Sequence, residues 1–352
     1  MVSDRTYLFV LTKAPQVEVK VYPIEVKEKD LTDRVEGFQK MLSTADNSFS
    51  KPAHELYDLL LKPAAAELLG KSRLVIVPDG SLWELPFQAL QTPRDRYLID
   101  DHAIFYTPSL TVLRETIEAR RLKAPKPLAS NLLAMGNPAL GLRTTTRVKS
   151  VLMDVGFDPL PEAEQQVKAL AKIYGHEHSK VYVGTEAREG RFKSEAKGFR
   201  VLHLATHGIL NDHSPMYSYL LLAQTGEETE EDGMLEAWEL MRLDLKADLA
   251  VLSACETARG RVGKGEGMIG LTWALFVAGV PTTVVSQWKV RSDSTAELMV
   301  EFHRELKSRL SSSTGRYSAA EALRAAALKL KRDHRYQHPF DWASFVVIGD
   351  GY

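Results

Sequence analysis

Apolar positions along this chain fall into two regimes that change near residue 125. In the first, Tyr7 to Thr12 is an apolar run, and Val17, Val19 and Val21 alternate with Glu18 and Lys20, the period-two pattern of a half-exposed strand. A hairpin is predicted there. Asp30 to Met41 and Ala53 to Leu69 carry apolar residues at helical spacing. Leu74 to Val77 runs into Pro78-Asp79-Gly80, a buried strand entering a turn, and Ile104 to Thr107 predicts another strand before a helix from Ser109 to about Arg121.

Ala124-Pro125-Lys126-Pro127 interrupts this pattern, because proline lacks the amide and fixes the backbone angle that a continuing helix needs. A boundary is placed here, dividing residues 1–124 from 125–352. Beyond it, short apolar runs alternate with helical patterns: strands at Leu132 to Gly136, Val181 to Val183, Val201 to Ala205, Leu249 to Ala254, Thr282 to Val285 and Phe345 to Ile348. Helices are predicted from Glu162 to Tyr174 and from about Gly267, Thr295 and Ala319. This alternation is the signature of an α/β fold with a mostly parallel sheet covered by helices. Ser294 with Glu297 and Ser318 with Glu321 each fit the S-x-x-E capping box at a helix start. The acidic run Glu227 to Asp232, ending at Gly233, reads as an exposed loop held open by like charges.

With 352 residues, 44% of them hydrophobic, the chain can bury a core large enough for two units. Lys and Arg total 45 against 46 for Asp and Glu, so a net charge of -1 provides no electrostatic footprint for nucleic acid or anionic lipid. Recognition is therefore expected in a pocket. No run reaches the roughly 18 apolar residues of a membrane span, and the opening residues lack a signal cleavage site, so a cytoplasmic protein is expected. The single cysteine, Cys255, excludes an internal disulfide and an all-cysteine metal site, as suits a reducing compartment.

Two segments share one design: Val201 to Gly208 and Leu249 to Ala258 are each a buried strand that ends in polar residues. Ligands of parallel α/β sheets collect outside the carboxyl ends of strands, so His207 and Cys255 would enter one crevice if the two strands are neighbours. A thiol is only partly ionised at neutral pH, and an imidazole beside it can take its proton and later return it to a leaving amine. The amides of Gly208 and Cys255 are the expected donors to an oxyanion, since glycine lets its backbone come close. The plainer reading is an inert buried cysteine and a core histidine. His203 with His207 does not form a zinc-protease motif, which needs a helix and a glutamate after the first histidine, where Leu204 stands. Nor is Gly260 to Gly265 a phosphate loop, because Gly265 follows Lys264 where Ser or Thr is required. No metal or cofactor is expected.

Ala205-Thr206-His207-Gly208, Ser253 to Ala258, Gly263 to Gly267, Ala278 to Pro281 and Trp342 to Phe345, with Val77 to Phe87 and Leu160 to Glu164 upstream, closely resemble the CHAT domain, a relative of caspases and separase. The resemblance implies a caspase-like sheet flanked by helices, preceded by a smaller degenerate pseudo-protease half, with His207 and Cys255 as a catalytic dyad. It further implies a cysteine endopeptidase acting on a protein or peptide substrate, in a bacterial signalling or defence setting. Helical repeats found in many relatives are absent, so an activating partner or upstream region is implied. Gln287 to Asp293 resembles a separase segment whose final Asp lines the pocket for a basic side chain; Asp293 equally suits the start of a helix, where a carboxylate favours the dipole. Glu256 could orient substrate, and Trp288 could wall the groove or belong to the core. The competing function is a catalytically silent CHAT scaffold that binds a protein partner.

Overall fold

The computed structural model describes the chain apart from residues 1–4, 14–15, 123–131, 142–143, 147, 149–156, 212, 225–230, 257–265, 290, 311–317 and 352, and describes the backbone alone at 119–122, 255–256, 266–269 and 310. The Pro-rich boundary, most of the acidic run and the glycine-rich segment after Cys255 lie outside the described residues.

Eight strands form the main sheet. In chain order they are β3 (Arg73–Ile76), β4 (Ala103–Tyr106), β5 (Leu132–Pro138), β6 (Ser179–Gly184), β7 (Val201–Ala205), β11 (Leu249–Leu252), β13 (Thr282–Ser286) and β14 (Phe345–Gly349). Their spatial order is β3-β4-β14-β13-β11-β7-β5-β6. Every neighbouring pair is parallel except β13 with β14. The central strands are buried along their whole length, which is why they read as unbroken apolar runs rather than as alternation. The mostly parallel, helix-flanked sheet expected from the sequence is thus the architecture. Strands from either side of residue 124 share this sheet, meeting where Tyr106 of β4 pairs with Ile348 of β14.

The flanking helices are α1 (Glu28–Ser43), α2 (Ser50–Leu60), α3 (Leu110–Leu122), α4 (Pro161–Tyr174), α5 (Glu266–Val277), α6 (Ser292–Leu310) and α7 (Ala319–Arg332). Each apolar stripe faces inward: α1 buries Leu31, Val35, Phe38 and Leu42 at three- and four-residue spacing, and α4 buries Val167, Leu170, Ala171 and Tyr174. α4, α6 and α7 pack side by side, with α4 against β5 and α7 against β4. No helix among the described residues is long and apolar enough to cross a membrane.

Three local differences from the sequence reading have physical causes. The helical pattern Ala53 to Leu69 is broken at Leu61, because Pro63 restrains Lys62 and removes an amide, leaving α2 and two short turns. α6 begins at Ser292, before the proposed Ser294 cap, because Asp293 Oδ1 already accepts the Ser294 amide at 2.8 Å. Ser318 does cap α7, its hydroxyl accepting the Glu321 amide at 3.2 Å. In the hairpin β1 (Thr6–Thr12) and β2 (Glu18–Ile24), Val19 and Val21 face outward, while Lys20 turns in to meet Glu67 at 2.7 Å.

The junction of β14 and β13 depends on Gly349, whose φ of 104° lies in the left-handed region and whose missing Cβ would stand 2.2 Å from Pro281 O. Gly349→Ala is expected to cost about 2–4 kcal/mol in urea unfolding, from strain and collision together. A cost below about 1 kcal/mol would show that this junction yields easily.

Candidate active site

β7 and β11 are parallel neighbours, and both leave the main sheet at their carboxyl ends. Thr206 turns the first strand, its hydroxyl donating to Leu221 O, and Ser253-Ala254 turns the second. Past the turns, β8 (His207–Ile209) and β12 (Cys255–Glu256) pair again, in parallel, within a small sheet ordered β10-β9-β8-β12. The remaining strands are β9 (Tyr219–Leu221) and β10 (Met234–Glu236). A minor core of Val148, Ile209, Leu221 and Met234 holds this sheet, with Phe157 packed against it.

The register is preserved through the break. Leu249 pairs with Val201 and Cys255 pairs with His207, so the offset is 48 residues on both sides of the turn. Backbones of paired strands lie about 4.8 Å apart, so Cys255 and His207 are direct neighbours across one ladder. Glu256 pairs with Gly208, which also pairs with Leu220 of β9.

His207 is 7% exposed and has one ring nitrogen committed: Nε2 lies 3.0 Å from Asp158 O. A carbonyl only accepts, so Nε2 carries the proton and Nδ1 of the neutral ring keeps its lone pair. Phe157 meets the imidazole edge-on at 5.5 Å. Burial lowers the His207 pKa below its usual 6.5, the positive charge of Lys289 acting in the same direction and the Asp158 carbonyl opposing. The ring is therefore neutral at physiological pH, in the tautomer that can receive a proton. Sequence reasoning missed Phe157 and Asp158, which lie some 50 residues from His207 and carry no motif of their own.

Other candidate residues stand apart from this pair. Asp293 is half-exposed and engaged by Arg291 through both oxygens, at 3.0 and 2.6 Å, and that bond foremost holds its carboxyl below the usual range. Trp288 is buried, its indole nitrogen donating to Phe340 O at 3.3 Å. Trp342 is likewise buried, donating to Gln337 O at 3.2 Å. His203 is completely buried between Gln166 and His303, and burial pushes it down to about 3.

Among the described residues, one set of carboxylates could surround a cation: Glu189, Glu231 and Glu239. The ammonium of Lys193 already occupies its centre, at 2.7, 2.5 and 2.6 Å from the three. That cluster is an ion network tying the short helix Glu189–Glu195 to the strand pair β9 and β10.

A model of the CHAT domain family matches residues 50–350. Tetratricopeptide repeat protein 28 of Mus musculus is 25% identical over 351 residues, and the Homo sapiens protein of that name is 26% identical. Both alignments take in 88% of this chain but only 14% and 13% of the relatives' own length. Among solved structures, a Saccharomyces cerevisiae separase-securin complex is similar over 78% of this chain and 15% of its own, with 16% identity and a TM-score of 0.49. A complex of the Porphyromonas gingivalis RgpB pro- and mature domains is similar over 92% of this chain and 76% of its own, with 12% identity and a TM-score of 0.49.

Proposed function

This chain belongs to the CHAT domain family, and from that premise we propose that it is a cysteine peptidase with Cys255 as nucleophile and His207 as proton carrier. The observation that supports this most is the register of β8 with β12, which makes the two residues neighbours although 48 positions separate them.

In the proposed reaction, Nδ1 of His207 takes the thiol proton, and the thiolate attacks the carbonyl carbon of the scissile peptide bond. The Nε2 bond to Asp158 O orients the ring and stabilises the imidazolium that forms. Amides of Gly208 and Cys255, in adjacent strands, are the proposed donors to the oxyanion. The imidazolium then protonates the departing amine, leaving a thioester on Cys255. A water molecule, losing its proton to the same Nδ1, attacks the thioester, and the proton returns to the thiolate as the new carboxyl product leaves.

Asp293 is the proposed acceptor for a basic side chain before the cut, exchanging its bond to Arg291 for one to the substrate. Trp288 would act at a distance, by anchoring the segment that leads to Asp293. Glu256, beside the nucleophile in β12, is the proposed contact for the substrate backbone.

The test is incubation with a diverse peptide library and mass spectrometry of the products. The parent chain should generate fragments ending at one class of residue, and Cys255→Ala should generate none. Equal cleavage by Cys255→Ala would end the proposal; a partner that binds both forms equally, with no cleavage by either, would favour the scaffold instead.

A further inference from the structure

Only Ser253 and Ala254 separate the end of β11 from Cys255, and both are pinned. The Ser253 amide donates to Leu204 O of β7 at 2.8 Å, and Ser286 Oγ of β13 donates to Ala254 O at 2.8 Å. These two bonds run between strands. The third comes from outside the sheet: Gln166 of α4, buried, donates from Nε2 to Ser253 Oγ at 3.2 Å.

The orientation of that amide is itself determined. Gln166 Nε2 also lies 2.8 Å from His203 Nε2. An NH2 group can only donate, so His203 Nε2 accepts and the single proton of the neutral ring is on Nδ1. That proton points at His303 Nε2, 3.1 Å away, which must accept in turn. His303 then carries its proton on Nδ1 and donates to Tyr174 Oη at 2.9 Å. Donation thus runs one way, from Gln166 through two histidines to Tyr174. Protonating His203 would set an N–H against the Gln166 NH2, so the chain requires neutral rings, and complete burial of both histidines provides them.

A core of this kind is ordinarily apolar, because buried polar groups are costly unless every one is bonded. Here Gln166, His203, His303, Tyr174 and Ser253 are all buried, and what their chain fixes is the direction of one NH2 group beside the nucleophile's strand. We infer that Gln166 is a positioning residue: His203 holds one of its amide hydrogens so that the other holds Ser253, which sets Cys255 level with His207. The inference rests on the dyad reading above.

The test uses the full chain, whose one cysteine makes alkylation by iodoacetamide a specific report on Cys255. Alkylation rate is followed against pH by intact mass spectrometry. The parent midpoint should lie below the value of about 8.5 for a free thiol, and His207→Ala should move it up towards that value. Gln166→Leu and Ser253→Ala should each move it in the same direction, by about half a unit or more, and the double variant should go no further than either. A merely structural loss would lower the unfolding temperature and leave the midpoint in place. An unmoved midpoint in Gln166→Leu, or shifts that add in the double variant, overturns this inference alone. A parent midpoint equal to that of His207→Ala overturns the dyad and this inference with it. Should Gln166→Leu fail to fold, Ser253→Ala decides by the same measure.

Discussion

Replacing His207 with alanine lowers peptide hydrolysis about 10²–10⁴-fold, the usual loss when a positioned acid and base is removed. That factor corresponds to about 3–5 kcal/mol of transition-state stabilisation. It is expected in kcat with little change in KM, because proton transfer is needed in the transition state and contributes nothing to holding substrate. The pH profile has a direction too. Since burial depresses the His207 pKa, the base is still neutral somewhat below pH 6.5, and the acidic limb of kcat/KM in the parent should fall on that lower side. Steady-state rates on the best peptide from the library check both statements. A loss smaller than tenfold would mean that the imidazole beside Cys255 does not carry the proton.

The second large effect is on acid stability. His203 and His303 are completely buried and their pKa values are lowered by burial, His203 to about 3 and His303 further through the charge of its neighbour. Below the ordinary value of 6.5, the unfolded chain therefore binds two protons that the native chain refuses. Stability from this pair is complete above pH 6.5 and is lost as pH falls, at up to about 2.7 kcal/mol per unit. Glu189 works against them: burial first, with its carboxylate neighbours, raises it to about 8, so the native state holds a proton there that the unfolded chain releases above about 4.5. That group adds stability as pH falls from 8, at about 1.4 kcal/mol per unit, leaving the histidines dominant below pH 6.5.

The histidine contribution is isolated by comparison. His303→Asn removes one titrating ring, so its unfolding free energy should fall with acid about 1.4 kcal/mol per unit less steeply than the parent's between roughly pH 6.5 and 4.5. Urea denaturation at a series of pH values measures both slopes. Equal slopes would mean that the native chain admits the proton, contrary to the one-way donation through His203.

Much of this was legible without coordinates. The strand at Val201–Ala205 and the Ser318 cap were read to the residue, since a wholly buried strand and a capping hydroxyl are written in neighbouring positions. His207 and Cys255 were marked as a pair by their places after such strands. What escaped was anything set by distant contacts. The small sheet is built of strands two to three residues long, too short to show a period. The Lys20 side of the hairpin turned inward because Glu67 awaited it 47 residues away.

His203 marks the division most clearly. Its sequence neighbours identify a buried strand position and say nothing of Gln166, 37 residues earlier, or of His303, 100 residues later. The local pattern of apolar and polar residues by itself determined the sheet, the order of its helices and the two reactive side chains, because these follow from periodicity along the chain. Tertiary structure alone decided that the two strands are neighbours in register, that Asp158 selects the tautomer of His207, and that a buried polar chain ends at Ser253. Hydrogen bonds of this kind depend on angles and distances between remote segments, which only packing of the whole chain can set.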